Sequence, residues 1–251
     1  MIYITGDCHS NFDRFSEEIF PEQKNMTRDD YVIICGDFGG IWSIDQKDKR
    51  EIEHLNWLND RPFTTLFVDG NHENFDRLRR FPLMRWKGGK VHRIRPNIYH
   101  LMRGQVFEIE GKKFFTFGGA QSHDTDGGIF EADDPDLRKK VMEAKKRNLP
   151  YRINKVTWWK EELPTQQEMD EGLLNLSIHG NRVDFIVTHC CASSTLAQFS
   201  HGIYKPDYLH RYLEKIKLKC TYKKWFFGHY HMNMNVTDKD LLLWEQIIRI
   251  S

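Results

Sequence analysis

No apolar run in this chain comes near the ~20 residues that a membrane-spanning helix requires, so no membrane partner is expected. Cysteine is scarce and unpatterned. Cys8, Cys35, Cys190, Cys191 and Cys220 follow neither a disulfide-framework nor a zinc-finger spacing. Their odd number predicts reduced thiols and a cytoplasmic location, as does an N-terminus in which Met1–Ile4 runs straight into Gly6-Asp7 with no leader pattern. Net charge is missing too: 37 Lys and Arg against 36 Asp and Glu leave +1. That excludes a generally basic nucleic-acid coat and an acidic disordered chain. Nucleotides and nucleic acid stay open as substrates, because a bound metal can hold a phosphate without a basic surface. Internal repeats and low-complexity tracts are absent. What remains is 251 residues, enough to bury one large core, and a single domain over 1–251 is expected.

Short β-branched and aromatic runs recur along the chain. Ile2–Ile4, Tyr31–Cys35, Thr64–Val68, Val183–Val187 and Lys224–Phe227 read as buried strands. Between some of them lie amphipathic helical candidates: Asp45–Leu58, a shorter Asn74–Arg80, and Asp207–Ile216. This alternation predicts an α/β fold with crossover connections. Val106–Ile109 and Lys113–Phe117 flank Glu110-Gly111 as the arms of a hairpin would, and Met232–Val236 with Leu241–Trp244 suggests a second. Strand-rich stretches beside βα units predict two packed sheets with helices outside. Residues 118–165 are least regular: Gly- and Asp-rich at 118–128, charged at 131–147, then Trp158-Trp159. They read as an excursion over the site.

Five polar clusters carry the chemistry, four of them directly after a hydrophobic run. They are Gly6-Asp7-Cys8-His9, Gly36-Asp37-Phe38-Gly39, Gly70-Asn71-His72-Glu73, Thr188-His189 and Gly228-His229-Tyr230-His231. In extended chain, residues i and i+2 share a face, so Asp7 and His9 can hold one metal. The oxygens of Asp37 point apart and can bridge two cations. Asn71 offers a neutral oxygen, and His189, His229 and His231 offer nitrogens. Asp, Asn and His together suit Mn, Fe, Zn or Ni; the set is too nitrogen-rich for Ca and too oxygen-rich for structural zinc. Two such ions ~3.5–4 Å apart would clamp the attacking and leaving oxygens of a displacement at phosphorus. Cys8, Cys190 and Cys191 sit beside these loops; they read first as small space-filling residues and only second as thiolate ligands.

In order and spacing, the clusters resemble the calcineurin-like metallophosphoesterase superfamily over residues 5 to 231. The resemblance implies a four-layer α/β/β/α sandwich of two mixed β-sheets flanked by helices, with a dinuclear centre of two divalent or trivalent ions, Mn or Fe before Zn or Ni. It implies that one metal takes Asp7, His9, Asp37 and His231, and the other Asp37, Asn71, His189 and His229. His72 would stand by the leaving-group oxygen, with Glu73 orienting it. Two departures stand out. The family often has Gly-Asp-x-x-Asp, where this chain has Gly39 and Gly40, and it often has a Pro after the ligand His, where this chain has Cys190-Cys191.

A finer similarity, to a subset of bacterial and phage phosphoesterases, lies in Gly118-Gly119-Ala120-Gln121-Ser122-His123-Asp124, Arg152 and Trp158-Trp159-Lys160-Glu161-Glu162. Arg152 could fork onto a phosphate. Trp158 or Trp159 could stack on a base, or both could be packing. His123 could contact substrate or be a solvated loop residue. The expected function is hydrolysis of a phosphomonoester or phosphodiester, of nucleotide or phosphoprotein type, by a metal-bound hydroxide, with Asn71 also on the substrate. The alternatives are a non-catalytic binding module on the same fold and a nuclease. The latter predicts a basic groove, and Lys139-Lys140 with Lys145–Arg147 is the nearest candidate, more often a solvated helix face.

Overall fold

A computed structural model describes residues 1–45 and 47–251. In chain order the strands and helices are β1 (Ile2–Thr5), β2 (Tyr31–Ile34), α1 (Lys49–Asn59), β3 (Thr64–Phe67), α2 (Phe75–Leu78), β4 (Leu83–Trp86), β5 (Gly89–Arg95), β6 (Ile98–Leu101), β7 (Gln105–Ile109), β8 (Lys112–Phe117), β9 (Ile129–Phe130), α3 (Leu137–Lys146), β10 (Arg152–Ile153), α4 (Gln166–Ile178), β11 (Phe185–Thr188), α5 (Ser193–Ser200), α6 (Tyr208–Lys219), β12 (Lys224–Phe227), β13 (Met234–Asn235), β14 (Asp240–Leu242) and β15 (Ile248–Arg249). One sheet runs β15-β1-β2-β3-β6-β5-β4 and a second runs β13-β14-β12-β11-β8-β7. Both are mixed, with parallel centres (β1-β2-β3-β6 and β14-β12-β11-β8) and antiparallel edges.

Strand alternation explains the layering. Ile2, Ile4, Tyr31 and Ile33 point one way from the first sheet, and Phe114, Val187 and Phe226 point to meet them from the second. Tyr3, Val32, Ile34 and Phe67 point the other way, onto Leu55 and Leu58 of α1 and Leu78 of α2. On the far side Phe115, Phe117, Trp225 and Phe227 pack on Leu176 of α4, Leu196 of α5 and Leu209, Leu213 and Ile216 of α6. Three apolar layers separate four layers of structure, so the fold is the α/β/β/α sandwich that the family resemblance implies. Among the described residues, no helix is long and apolar enough to cross a membrane.

Sequence expectation misses some elements. β4–β6 extend the first sheet through a hairpin whose two-residue turn, Lys87-Gly88, has positive φ at both positions. α4 begins with a capping box, Thr165 with Glu168, and α5 follows the His189 loop. Residues 118–165 are also more ordered than expected. They carry a β9–β10 ladder, α3 with Ala144 as its buried residue, and a 3-10 turn at Lys160–Glu162.

A buried ion pair fastens this segment to both sheets. Asp69, just after β3, accepts from Arg103 Nε (2.9 Å) and Nη2 (2.5 Å) and lies 3.1 Å from His100 Nε2. Arg103 Nη2 also donates to the carbonyls of Glu161 and Glu162, and the Asp69 carbonyl accepts from Gly119 N. Burial raises the Asp69 carboxyl, but the guanidinium outweighs it and holds the group well below the usual carboxylate range. Its contribution is therefore present above the unfolded value of ~3.9 and lost as pH falls through the folded one. Arg103→Ala leaves the carboxylate uncompensated and should cost about 3–5 kcal/mol near pH 7. In the variant only His100 still opposes burial, so the carboxyl sits higher and far less stability is gained as pH rises. The gap between wild type and variant in urea unfolding should widen from pH 4 to pH 7. A pH-independent gap under ~1 kcal/mol would refute this role.

Candidate metal centre

All five clusters leave the carboxyl ends of parallel strands. Asp7 and His9 follow β1, Asp37 follows β2, and Asn71, His72 and Glu73 follow β3. His189 follows β11, and His229 and His231 follow β12. Each loop turns at once, and the side chains converge because it does so. His9, Asp37, His229 and His231 all have left-handed backbone, with φ between 42° and 73°, a conformation that non-glycine residues rarely hold. Glycine beside them is demanded by contact. A Cβ on Gly70 would lie 2.0 Å from Asp37 Oδ1, and one on Gly228 would lie 2.1 Å from Asp7 Oδ1.

Two groups of metal-ligating atoms result, each with its members within 4.8 Å of one another: Asp7, His9, Asp37 and His231, and Asp37, His189 and His229. Metal–ligand bonds of ~2.0–2.2 Å imply ligand–ligand edges of roughly 3.0–3.6 Å. In the first group His9 Nε2 is 2.9 Å from His231 Nε2 and 3.6 Å from Asp37 Oδ2, and His231 Nε2 is 3.2 Å from Asp7 Oδ2. In the second, His189 Nε2 is 3.3 Å from Asp37 Oδ1 and 3.2 Å from Asn71 Oδ1. Each spacing suits a cation between the atoms. Outer contacts aim the ligands: His189 Nδ1 donates to the Cys35 carbonyl, which turns Nε2 inward, and the N–H groups of His229 and His72 donate to Asp7 and Asp37.

Electrostatics agrees with the spacing. Asp7 and Asp37 are each 1% exposed. Burial pulls the His189 imidazole down, but the Asp37 and Asp7 charges outweigh it and push it up to about 10. Burial likewise raises Asp37, yet the imidazoles of His189, His72 and His9 bring it well below the carboxylate range. In the protein alone, a proton on His189 supplies the positive charge that the two acids need; a bound cation would supply more. His229 goes the opposite way, pulled well down by burial and then by His189 and His123.

The other expected residues are distributed unevenly. His72 lies at the edge, its ring 4.9 Å from that of His9; burial lowers its imidazole although Asp37 pulls upward. Glu73 does not reach His72. Its Oε1 accepts the N–H groups of Phe38 (2.8 Å) and Gly39 (3.4 Å), and burial pushes its carboxyl well up. It braces the glycine loop that replaces the usual Gly-Asp-x-x-Asp. His123 Nε2 stands 2.9 Å from His229 Nε2. Arg152 Nη2 is 3.5 Å from His72 Nε2, but the guanidinium is already forked onto Asp124 (2.8 and 2.5 Å). Trp158 is half-buried in the turn that Ile153 closes, away from the cavity that His9 and His72 line. Trp159 is packing, 1% exposed and donating to Asp76. No cysteine belongs to either ligand group; burial pushes Cys8 up to about 12, and Cys190 and Cys191 are likewise raised.

Three neighbours carry no expected role. Asn71 Nδ2 donates to Ser122 Oγ (3.3 Å), which donates to Glu162 Oε2 (2.6 Å), while Glu162 Oε1 accepts Ser122 N. This chain fixes the Asn71 amide with its oxygen toward His189. The signal for it was the pairing of the Gly-Gly-Ala-x-Ser and Trp-Trp-x-x-Glu runs. The third, Trp42, lies 5.9 Å from the His72 ring.

Residues 1–233 match the family described as calcineurin-like phosphoesterase. The chain is 28% identical over 143 residues to lariat debranching enzyme A of Xenopus laevis, covering 52% of this chain and 26% of that protein. It is 27% identical over 145 residues to the lariat debranching enzyme of Homo sapiens, covering 52% and 25%, and 29% identical over 130 residues to that of Schizosaccharomyces pombe, covering 47% and 26%. The matches thus span about a quarter of the length of these relatives. With the five loops, the paired ligand groups and a match over residues 1–233, the chain belongs to the calcineurin-like phosphoesterase family of metal-dependent phosphoester hydrolases.

Proposed function

We propose that this chain hydrolyses a phosphodiester of nucleotide type at a dinuclear centre. Asp7, His9, Asp37 and His231 would hold one ion, and Asp37, Asn71, His189 and His229 the other. The observation that carries this reading is the sharing of Asp37 between two ligand groups. Oxygen and imidazole donors without thiolate suit Mn or Fe. When bound, the two ions supply an activated water and offset charge on the phosphoryl oxygens. Relatives named as lariat debranching enzymes favour a diester over a monoester.

The side chains around the ligand groups do the rest. Asn71, fixed by Ser122 and Glu162, presents a polar group of set orientation to the phosphoryl oxygens. Arg152 holds a second donor fork beside His72, which can pass from Asp124 to an anionic substrate. His72, anchored by its own N–H on Asp37, supports proton donation to the leaving oxygen.

Metal binding should stabilise the fold. At about a hundredfold excess over Kd, Mn should add roughly 2.7 kcal/mol, a rise in Tm of roughly 5–10 °C that a chelator reverses. Asp37→Asn should lose most of this rise, and a variant with the full rise would refute the bridging role. Catalysis is tested by the leaving group. His72→Ala should lower kcat about 10²–10⁴-fold on a diester with an alkyl leaving group, and far less on bis(p-nitrophenyl) phosphate, whose leaving group needs no proton. Equal losses on the two esters would rule out a proton-donating role.

A further inference from the structure

A cavity of about 1110 Å³ opens beside the ligand groups, on the side where His9 and His72 lie. Its walls come from the loops after β1 and β2 and from α1, and Arg152 is not among its lining residues. On α1, Arg50, Glu53, His54 and Trp57 follow one another at helical spacing, so a single helix face lines it. The loop after β2 adds Trp42.

The two tryptophans are held in place. Glu51 Oε2 accepts the N–H groups of Trp42 (3.0 Å) and Ser43 (2.9 Å), and Arg77 clamps both Glu51 and the Ser43 carbonyl. The Trp42 indole is edge-on to Trp159 at 5.6 Å. Trp57 carries the Arg61 guanidinium 4.3 Å from its ring centre. Aromatic surface held this way loses little entropy when a ligand stacks on it.

The rim decides which aromatic ligand fits. Asp13, Asp48 and Glu53 line the cavity, and among the described residues none of them belongs to an ion pair; Arg50 is the one Lys or Arg among the lining residues. A second phosphate would meet like charge there. Carboxylates accept hydrogen bonds only, so they favour hydroxyl and amino donors. A sugar and a base offer both; an aryl group whose one oxygen is held in the ester offers neither and would leave most of the volume empty.

We propose that this cavity binds the leaving alcohol of the ester as an uncharged nucleoside, with its base stacked against Trp42 and Trp57. The assignment rests on the phosphoesterase reading above. It is tested with thymidylyl-(3′→5′)-adenosine and with the same diester carrying methanol in place of adenosine, both with Mn. The nucleoside ester should be preferred at least about tenfold in kcat/KM. Trp57→Ala, which leaves His72 untouched, should bring the ratio close to one by lowering the adenosine ester selectively. A 3′-phosphate on the leaving adenosine should cancel the preference, and Asp13→Asn with Glu53→Gln should restore part of it. Adenosine alone should quench tryptophan fluorescence, less so in Trp57→Ala. Hydrolysis of both diesters at equal rates, or equal losses on both in Trp57→Ala, would overturn the cavity assignment and leave the phosphoesterase reading standing. No hydrolysis of either diester, with no quenching by adenosine, would overturn both.

Discussion

The Asp37 carboxylate is the point on which the site depends. It is the one side chain common to both ligand groups. It is buried, its backbone is left-handed, and its Oδ1 takes the N–H of His72 while blocking any side chain at position 70. Three of the histidines grouped with it, His189, His229 and His231, come from the second sheet. The two sheets must therefore meet with the carboxyl ends of their central strands together, and the inter-sheet layer of Ile2, Ile33, Phe114 and Phe226 sets that distance. Apolar packing decides where the acid sits, and the acid decides where positive charge must gather.

Strain follows the same line. Left-handed backbone at a non-glycine residue costs of order 1–3 kcal/mol, and four residues of the ligand groups adopt it. Hydrogen bonds offset part of this: the Asp37 carbonyl accepts the N–H groups of both Cys8 and His9, and Asp7 takes that of His229 from the opposite sheet. Each strained turn is held by a group from another loop, so the turns stand or fall together.

The parts legible in the sequence were those with a local signature. Strands of four or five apolar residues ending in Gly-Asp or Gly-Asn-His announce both the ladder and the turn after it; two packed sheets with helices outside could be read from them, and the four-layer order came with the family resemblance. The ligand residues could be read because each sits within four positions of a strand end. Glu73 could not. Adjacency to His72 suggests that it orients the imidazole, but consecutive residues diverge in a tight loop, and its carboxyl turns back to Phe38 and Gly39. Ser122 and Glu162 could not be joined either, since 40 residues separate them and only the fold brings them under Asn71. β4–β6 were missed because β4 is mostly exposed at the sheet edge and lacks the apolar run that marks a buried strand.

Specificity divides across the site for the same reason. Residues 118–165, irregular in sequence, draw attention as the cover of the centre, and they do bring His123 and Arg152 to it. Yet two of the aromatic side chains that line the cavity with His72, Trp42 and Trp57, lie fifteen positions apart, one in a loop and one on a helix that looks like an ordinary amphipathic packer. α1 serves two masters: Leu55 and Leu58 face the sheet, and Arg50, Glu53, His54 and Trp57 face the cavity. A helix whose inner stripe is fixed by packing has its outer stripe fixed as well, at the same height and angle. The core that seats the Asp37 strand therefore also sets where a leaving group can lie.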